Sequence, residues 1–121
     1  MLKDILIVFI GGGVGSVVRY LLNKYLSQVF AHFPLHTFIA NVLACAIYGA
    51  LAAWIYQSTQ DRYKLWILTG FCGGLSTYST FNYEIIEYIK NGQYIAAIIY
   101  ILVTLIIGVG VFWGAELLVK S

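Results

Sequence analysis

The stretch Thr69-Gly70-Phe71-Cys72-Gly73-Gly74-Leu75-Ser76-Thr77-Tyr78-Ser79-Thr80-Phe81-Asn82-Tyr83-Glu84 decides the architecture. Up to its final Glu84 it lies in an uncharged run from Leu65 to Tyr83, an apolar setting, yet it is poor helix material. Adjacent glycines lose the most backbone entropy in a helix, and Ser/Thr hydroxyls compete for backbone hydrogen bonds. The pattern predicts a helix broken near residues 73–77. Irregular backbone at bilayer depth has no water to satisfy its amides and carbonyls, so it must be buried in protein, line a wet cavity or bind an ion. Breaks at mid-membrane often hold ions through freed carbonyls. The same glycines also suit a close helix-packing face with no break.

The rest of the chain supplies the bilayer. Of 121 residues 61% are apolar, about 74, against seven Lys/Arg and five Asp/Glu. Soluble domains run about 45–50% apolar and about 25% charged. A soluble domain of this size could not cover so much apolar surface, which excludes a water-soluble enzyme, and the composition is the opposite of a disordered chain. Four helices of about 20 residues each fit the length, with short loops between them. The charges punctuate the sequence into spans near 4–26, 36–57, 63–89 and 93–118. The expectation is an all-α integral membrane protein with one transmembrane domain over 1–121 and a broken third helix. The loops fall near 27–35, with His32, Phe33 and Pro34, at 58–62, and at Asn91-Gly92, a helix-ending pair. The N-terminal stretch lacks a small-residue cleavage site and reads as a first span rather than a removable signal.

A net charge of +2 without a basic stripe gives no reason to expect nucleic acid. Cys45 and Cys72 lie inside apolar stretches, far apart in sequence, and read as small apolar packing residues. Lys3, Arg62, Lys64 and Lys120 would face one side of the membrane; Lys24 and Lys90 would face the other, with Arg19 leaning that way. So weak a bias fixes orientation poorly under the positive-inside rule, and an inverted pair of identical subunits becomes possible.

Several side chains could handle an ion. Tyr78 and Phe81 are three apart and share a helical face, with Ser79 and Thr80 beside them. Aromatic rings have a partly positive edge, which attracts an anion without a full charge; ordinary aromatic packing uses the same pair. Asn41, inside the second span, offers two amide donors for an anion or an interhelical hydrogen bond. Tyr100, Thr104 and Gly108 recur every four residues and outline a polar track. Arg19 could occupy a water-filled vestibule and draw anions by its field, or snorkel to the headgroups. Gly11 and Gly15, and Gly110 and Gly114, have the spacing of close helix contacts. Gly11–Ser16 loosely echoes a nucleotide loop but has no preceding strand and no following Gly-Lys-Ser/Thr. His32 and His36 have the spacing of a ligand pair, but Pro34 between them opposes a regular helix.

Taken together, Gly11-Gly12-Gly13-Val14-Gly15-Ser16-Val17-Val18-Arg19-Tyr20, Thr37-Phe38-Ile39-Ala40-Asn41 and above all Gly70–Phe81 resemble the small fluoride channels called Fluc or CrcB. The resemblance covers all four segments. It implies an inverted (antiparallel, dual-topology) homodimer in the cell inner membrane that exports fluoride passively and confers fluoride resistance. It implies a structural sodium ion at the dimer centre, held by backbone carbonyls that map to Gly73 and Ser76. It implies two pores at the subunit interface, lined by the aromatic pair Tyr78 and Phe81, by Asn41, and by a hydroxyl track of Ser79, Thr80, Tyr100 and Thr104, with Arg19 near the vestibule. The first aromatic position is usually Phe in the family and is Tyr78 here; Asn82 replaces a small hydroxyl residue.

Two other functions compete. A small proton-coupled multidrug exporter has a similar four-span inverted form, but needs a carboxylate deep in the first span, which here holds none after Asp4. A purely structural assembly subunit fits the glycines but leaves the polar cluster of the third span without a role.

Overall fold

Leu2 to Leu26 is apolar apart from its ends and Arg19, and it winds into one helix, α1 (Leu2–Leu26). The computed structural model describes residues 1–27, 33–56 and 64–120, without the side chains of 54–56 and 65. His32, Arg62 and the polar loop at 58–62 lie outside the described residues. The second helix, α2 (Leu35–Tyr56), starts directly after Pro34, whose carbonyl accepts the Phe38 N–H at 3.1 Å. Proline suits a helix start because its missing N–H is unused there. The last helix, α6 (Tyr94–Lys120), follows a turn in which Gly92 takes a left-handed φ of 75°, a conformation open to glycine at little cost. With 25, 22 and 27 residues these helices are about 33–40 Å long at about 1.5 Å rise per residue. Among the described residues three helices are long and apolar enough to cross a membrane: α1, α2 as far as Ala53, and α6.

The stretch between α2 and α6 is different. Lys64–Cys72 (α3) has the wider π-helical winding, Gly73–Leu75 (α4) continues it as a single α-turn, and winding then stops. Ser76 (φ −76°, ψ 155°) and Thr77 (φ −149°, ψ 117°) are extended, and Tyr78–Lys90 (α5) begins anew. The π-wound α3 was not expected from the sequence.

Helix α1 lies along α3 and α4, and α2 lies along α6. Glycine makes the first contact close. A Cβ on Gly15 would run into the carbonyl oxygen of Phe71, and one on Gly74 into that of Gly12, so backbone meets backbone. The spaced pair Gly110 and Gly114, expected to form another such contact, faces open space in the single chain. The core is small: Ala40, Ala44, Cys72 and Leu75, with Val18, Leu22, Ile47 and Phe71 packed against it. Cys72 serves there as an apolar filler, 3% exposed. Gly11–Ser16 lies in the middle of α1.

The chain cannot hide its apolar surface by itself. Its accessible surface is 8007 Å² at 13.5 kDa, where a water-soluble monomer of that mass exposes about 6,500 Å². Phe9, Tyr78, Ile95, Ile106, Val109 and Trp113 are among the large side chains left bare. Such a surface belongs against acyl chains or another protein.

Candidate functional site

The interruption at Ser76–Thr77 is held from both sides. From α2, the Asn41 Oδ1 accepts the Thr77 N–H at 2.8 Å, and Nδ2 faces the Thr77 carbonyl oxygen at 3.4 Å. From α1, the Arg19 Nε donates to the Gly74 carbonyl at 3.1 Å. Locally, the Ser76 hydroxyl donates to the Cys72 carbonyl at 2.9 Å, and the Thr77 hydroxyl caps α5 by accepting the Thr80 N–H at 3.3 Å. A side-chain cap of this kind satisfies one of the orphan donors of a helix start.

These bonds redirect two amides. In a continuous helix the Thr77 N–H would reach the Gly73 carbonyl and the Thr80 N–H would reach that of Ser76. Here they go to Asn41 and to the Thr77 hydroxyl instead. Gly73 is exposed, and a Cβ there would meet nothing within 4 Å.

Among the described residues two cavities adjoin Thr77. The first is a groove of about 320 Å³, lined among others by Asn41, Ser76, Tyr78, Phe81, Thr104 and Leu105. Four of the expected pore residues, Asn41, Tyr78, Phe81 and Thr104, therefore meet on one surface. The Thr104 hydroxyl is buried with no hydrogen-bond partner. The second, about 200 Å³, is lined by Ser16, Arg19, Tyr20, Asn23, His36, Thr37, Thr77 and Thr80. It gathers Arg19 and Thr80 from the expected set. Arg19, half-buried and bonded to Gly74, is turned inward rather than stretched to a headgroup.

The remaining expected residues sit elsewhere. Tyr100 is fully buried, 0% exposed, with its ring 5.0 Å from that of Phe81 and its hydroxyl donating to Glu84 Oε1 at 3.0 Å. It backs the groove aromatic rather than lining the groove. Ser79 is exposed and belongs to neither cavity lining.

Sequence reasoning gave Glu84 no role, and the structure makes it a hub. Its carboxylate accepts the Thr37 hydroxyl at 2.9 Å and the Tyr100 hydroxyl at 3.0 Å, and His36 Nε2 lies 3.5 Å away. The carboxylate thus ties α5 to α2 and α6. The usable signal was an ionisable residue inside an apolar span, which at that depth must have partners. Among the described residues no cluster of three or more His, Cys, Asp or Glu could hold a metal.

A family model described as CrcB-like protein, Camphor Resistance (CrcB), matches residues 6–115, nearly the whole chain. The chain belongs to this family. Curated relatives named fluoride-specific ion channel FluC align along most of their length. One from Azobacteroides pseudotrichonymphae is 38% identical over 89% of this chain and 89% of its own. One from Erwinia tasmaniensis is 37% identical over 98% and 99%, and one from Pectobacterium carotovorum is 43% identical over 87% and 84%. The match to the CrcB-like family runs through α1, α2, the interrupted segment and α6 alike.

Proposed function

We propose that this chain is a fluoride-selective ion channel, a pore and not an enzyme, that lets fluoride leave the cytoplasm down its electrochemical gradient and so confers fluoride resistance. The observation that carries this reading is the groove in which Asn41, Tyr78, Phe81 and Thr104 meet beside the interruption, in a chain whose relatives bear the fluoride-channel name. Fluoride is small and strongly hydrated, so its lost water must be replaced by close donors. The amide of Asn41, the hydroxyl of Thr104 and the ring edges of Tyr78 and Phe81 offer such contacts. None carries a fixed positive charge, which keeps binding weak enough for release.

The groove is open on one side, and the bare apolar surface around it calls for a wall. A second copy in inverted orientation supplies that wall and yields two pores per homodimer at the subunit interface. On this reading the whole chain is one transmembrane channel domain, multi-pass in the inner membrane, with α3 to α5 as a third span broken at Ser76–Thr77. The carbonyls of Gly73 and Ser76 fit a sodium ion at the dimer centre, because they are hard oxygen donors whose usual amide partners are engaged elsewhere. When bound, that sodium supplies a fixed positive field to the pores. Arg19 draws anions into the second cavity.

The test is release of fluoride, followed with a fluoride electrode, from vesicles holding the purified protein. Rapid fluoride efflux with little chloride efflux is expected. Equal release of both halides, or release of neither, contradicts the reading.

A further inference from the structure

We propose that His36 is a proton-dependent anion donor in the Arg19 cavity, which binds fluoride more tightly when the imidazole is protonated; this rests on the fluoride-channel reading. His36 lines the same cavity as Arg19 and Thr80. Its Nε2 lies 3.5 Å from Glu84 Oε2, with the two side chains 18% and 13% exposed. Its Nδ1 is buried with no hydrogen-bond partner. A neutral imidazole with its proton on Nε2, toward Glu84, presents only a lone pair at Nδ1; protonation turns that atom into an N–H donor. A buried N–H without an acceptor is costly, so the protonated form favours an anion close by.

The charges around His36 strengthen the effect. The titratable or charged groups facing it are Arg19 and Tyr20 from α1, Glu84 from α5, and Tyr100 from α6, the last through its bond to Glu84. With His36 neutral, Arg19 and an ionised Glu84 cancel. A proton on His36 leaves one net positive charge beside a cavity of about 200 Å³, which favours an anion there. Nothing in the fluoride-channel reading itself requires a histidine here.

Two measurements decide. The first is a nitrogen-15 NMR titration of histidine-labelled full-length protein in micelles, run in sodium fluoride and in sodium gluconate at equal ionic strength, with His36→Gln to assign the signal. Fluoride should raise the His36 midpoint by about half a pH unit, which by linkage means roughly threefold tighter fluoride binding to the protonated form. An unmoved midpoint overturns the proposal. The second is electrode-detected efflux at low fluoride, corrected with protein-free vesicles for leak of the neutral acid. Wild type should speed up about threefold from about pH 7.5 to about pH 5, a window that spans the histidine range, and His36→Gln should stay flat. The same rise in His36→Gln also overturns it. Absence of efflux at every pH in both proteins would instead remove the channel reading, with the NMR midpoint still deciding whether His36 binds the anion.

Discussion

Asn41 meets the backbone of Thr77 through Oδ1 and Nδ2 while its side chain also lines the groove. The sequence left open whether this amide served an anion or another helix; the hydrogen bonds show a helix-to-segment tie, with one Nδ2 hydrogen still unassigned. Asn41→Ala should strand a partly buried Thr77 N–H and cost about 1–3 kcal/mol, seen as a lower unfolding midpoint in detergent. Asn41→Asp keeps the acceptor for Thr77 but adds negative charge at the groove. It also sets an oxygen against the Thr77 carbonyl that Nδ2 faced, so it should unfold at a lower midpoint than wild type, and it should pass fluoride at least about tenfold more slowly. Normal flux in Asn41→Asp would count against an anion path beside Asn41. Phe81→Ile, which removes a ring edge from the groove, should abolish efflux while eluting like wild type in size-exclusion chromatography. Tyr78 is 78% exposed in the single chain and its ring carries the proposed contact, so Tyr78→Phe should retain most transport; a dead channel would make its hydroxyl essential. Tyr78, Phe81, Asn41 and Arg19 could be named as candidates from residue type and spacing. Glu84 was not, because its partners Thr37 and Tyr100 are 47 and 16 residues away and only folding brings them together.

Among the elements, the four helical segments were readable from charge punctuation and run length, and the helix ends lie within about two residues of the bounds drawn from sequence. The Gly-Gly and hydroxyl run pointed to residues 73–77, and the extended dihedrals fall on Ser76 and Thr77. The π winding of Lys64–Cys72 had no signal, since a run that is apolar apart from Lys64 and Thr69 gives too little periodicity to distinguish one helical pitch from another. The glycine spacing was informative in α1 and uninformative in α6. Gly15 abuts the Phe71 carbonyl, whereas Gly110 and Gly114 abut nothing within the chain. Gly15→Ala should therefore push α3 off α1 and cost about 1–3 kcal/mol. Gly13→Ala, where a Cβ meets nothing within 4 Å, should be neutral or stabilise the helix by up to about 1 kcal/mol. Thermal unfolding of the two variants in the same detergent separates a contact face from mere helix propensity; equal midpoints would refute the close approach.

For the whole molecule, composition alone led to a membrane and surface area leads to the same place, because a chain this small leaves large apolar side chains bare after folding. The even spread of Lys and Arg made an inverted partner copy possible from sequence; the family likeness and the open side of the groove argue for one. The weak asymmetry of Lys and Arg bears on this directly. If subunits insert both ways, cysteines added at the N-terminus should label with an impermeant maleimide from both faces of the membrane, in about equal amounts. Labelling from one face only would refute the inverted pair and with it the two-pore arrangement.

The central claim, selective passage of fluoride along the groove beside Thr77, is tested most directly by paired electrode traces from vesicles holding equal amounts of wild type and Phe81→Ile. The account predicts fast fluoride release with chloride retained for wild type, and a trace matching empty vesicles for Phe81→Ile. Fluoride release of equal speed from both proteins would contradict it.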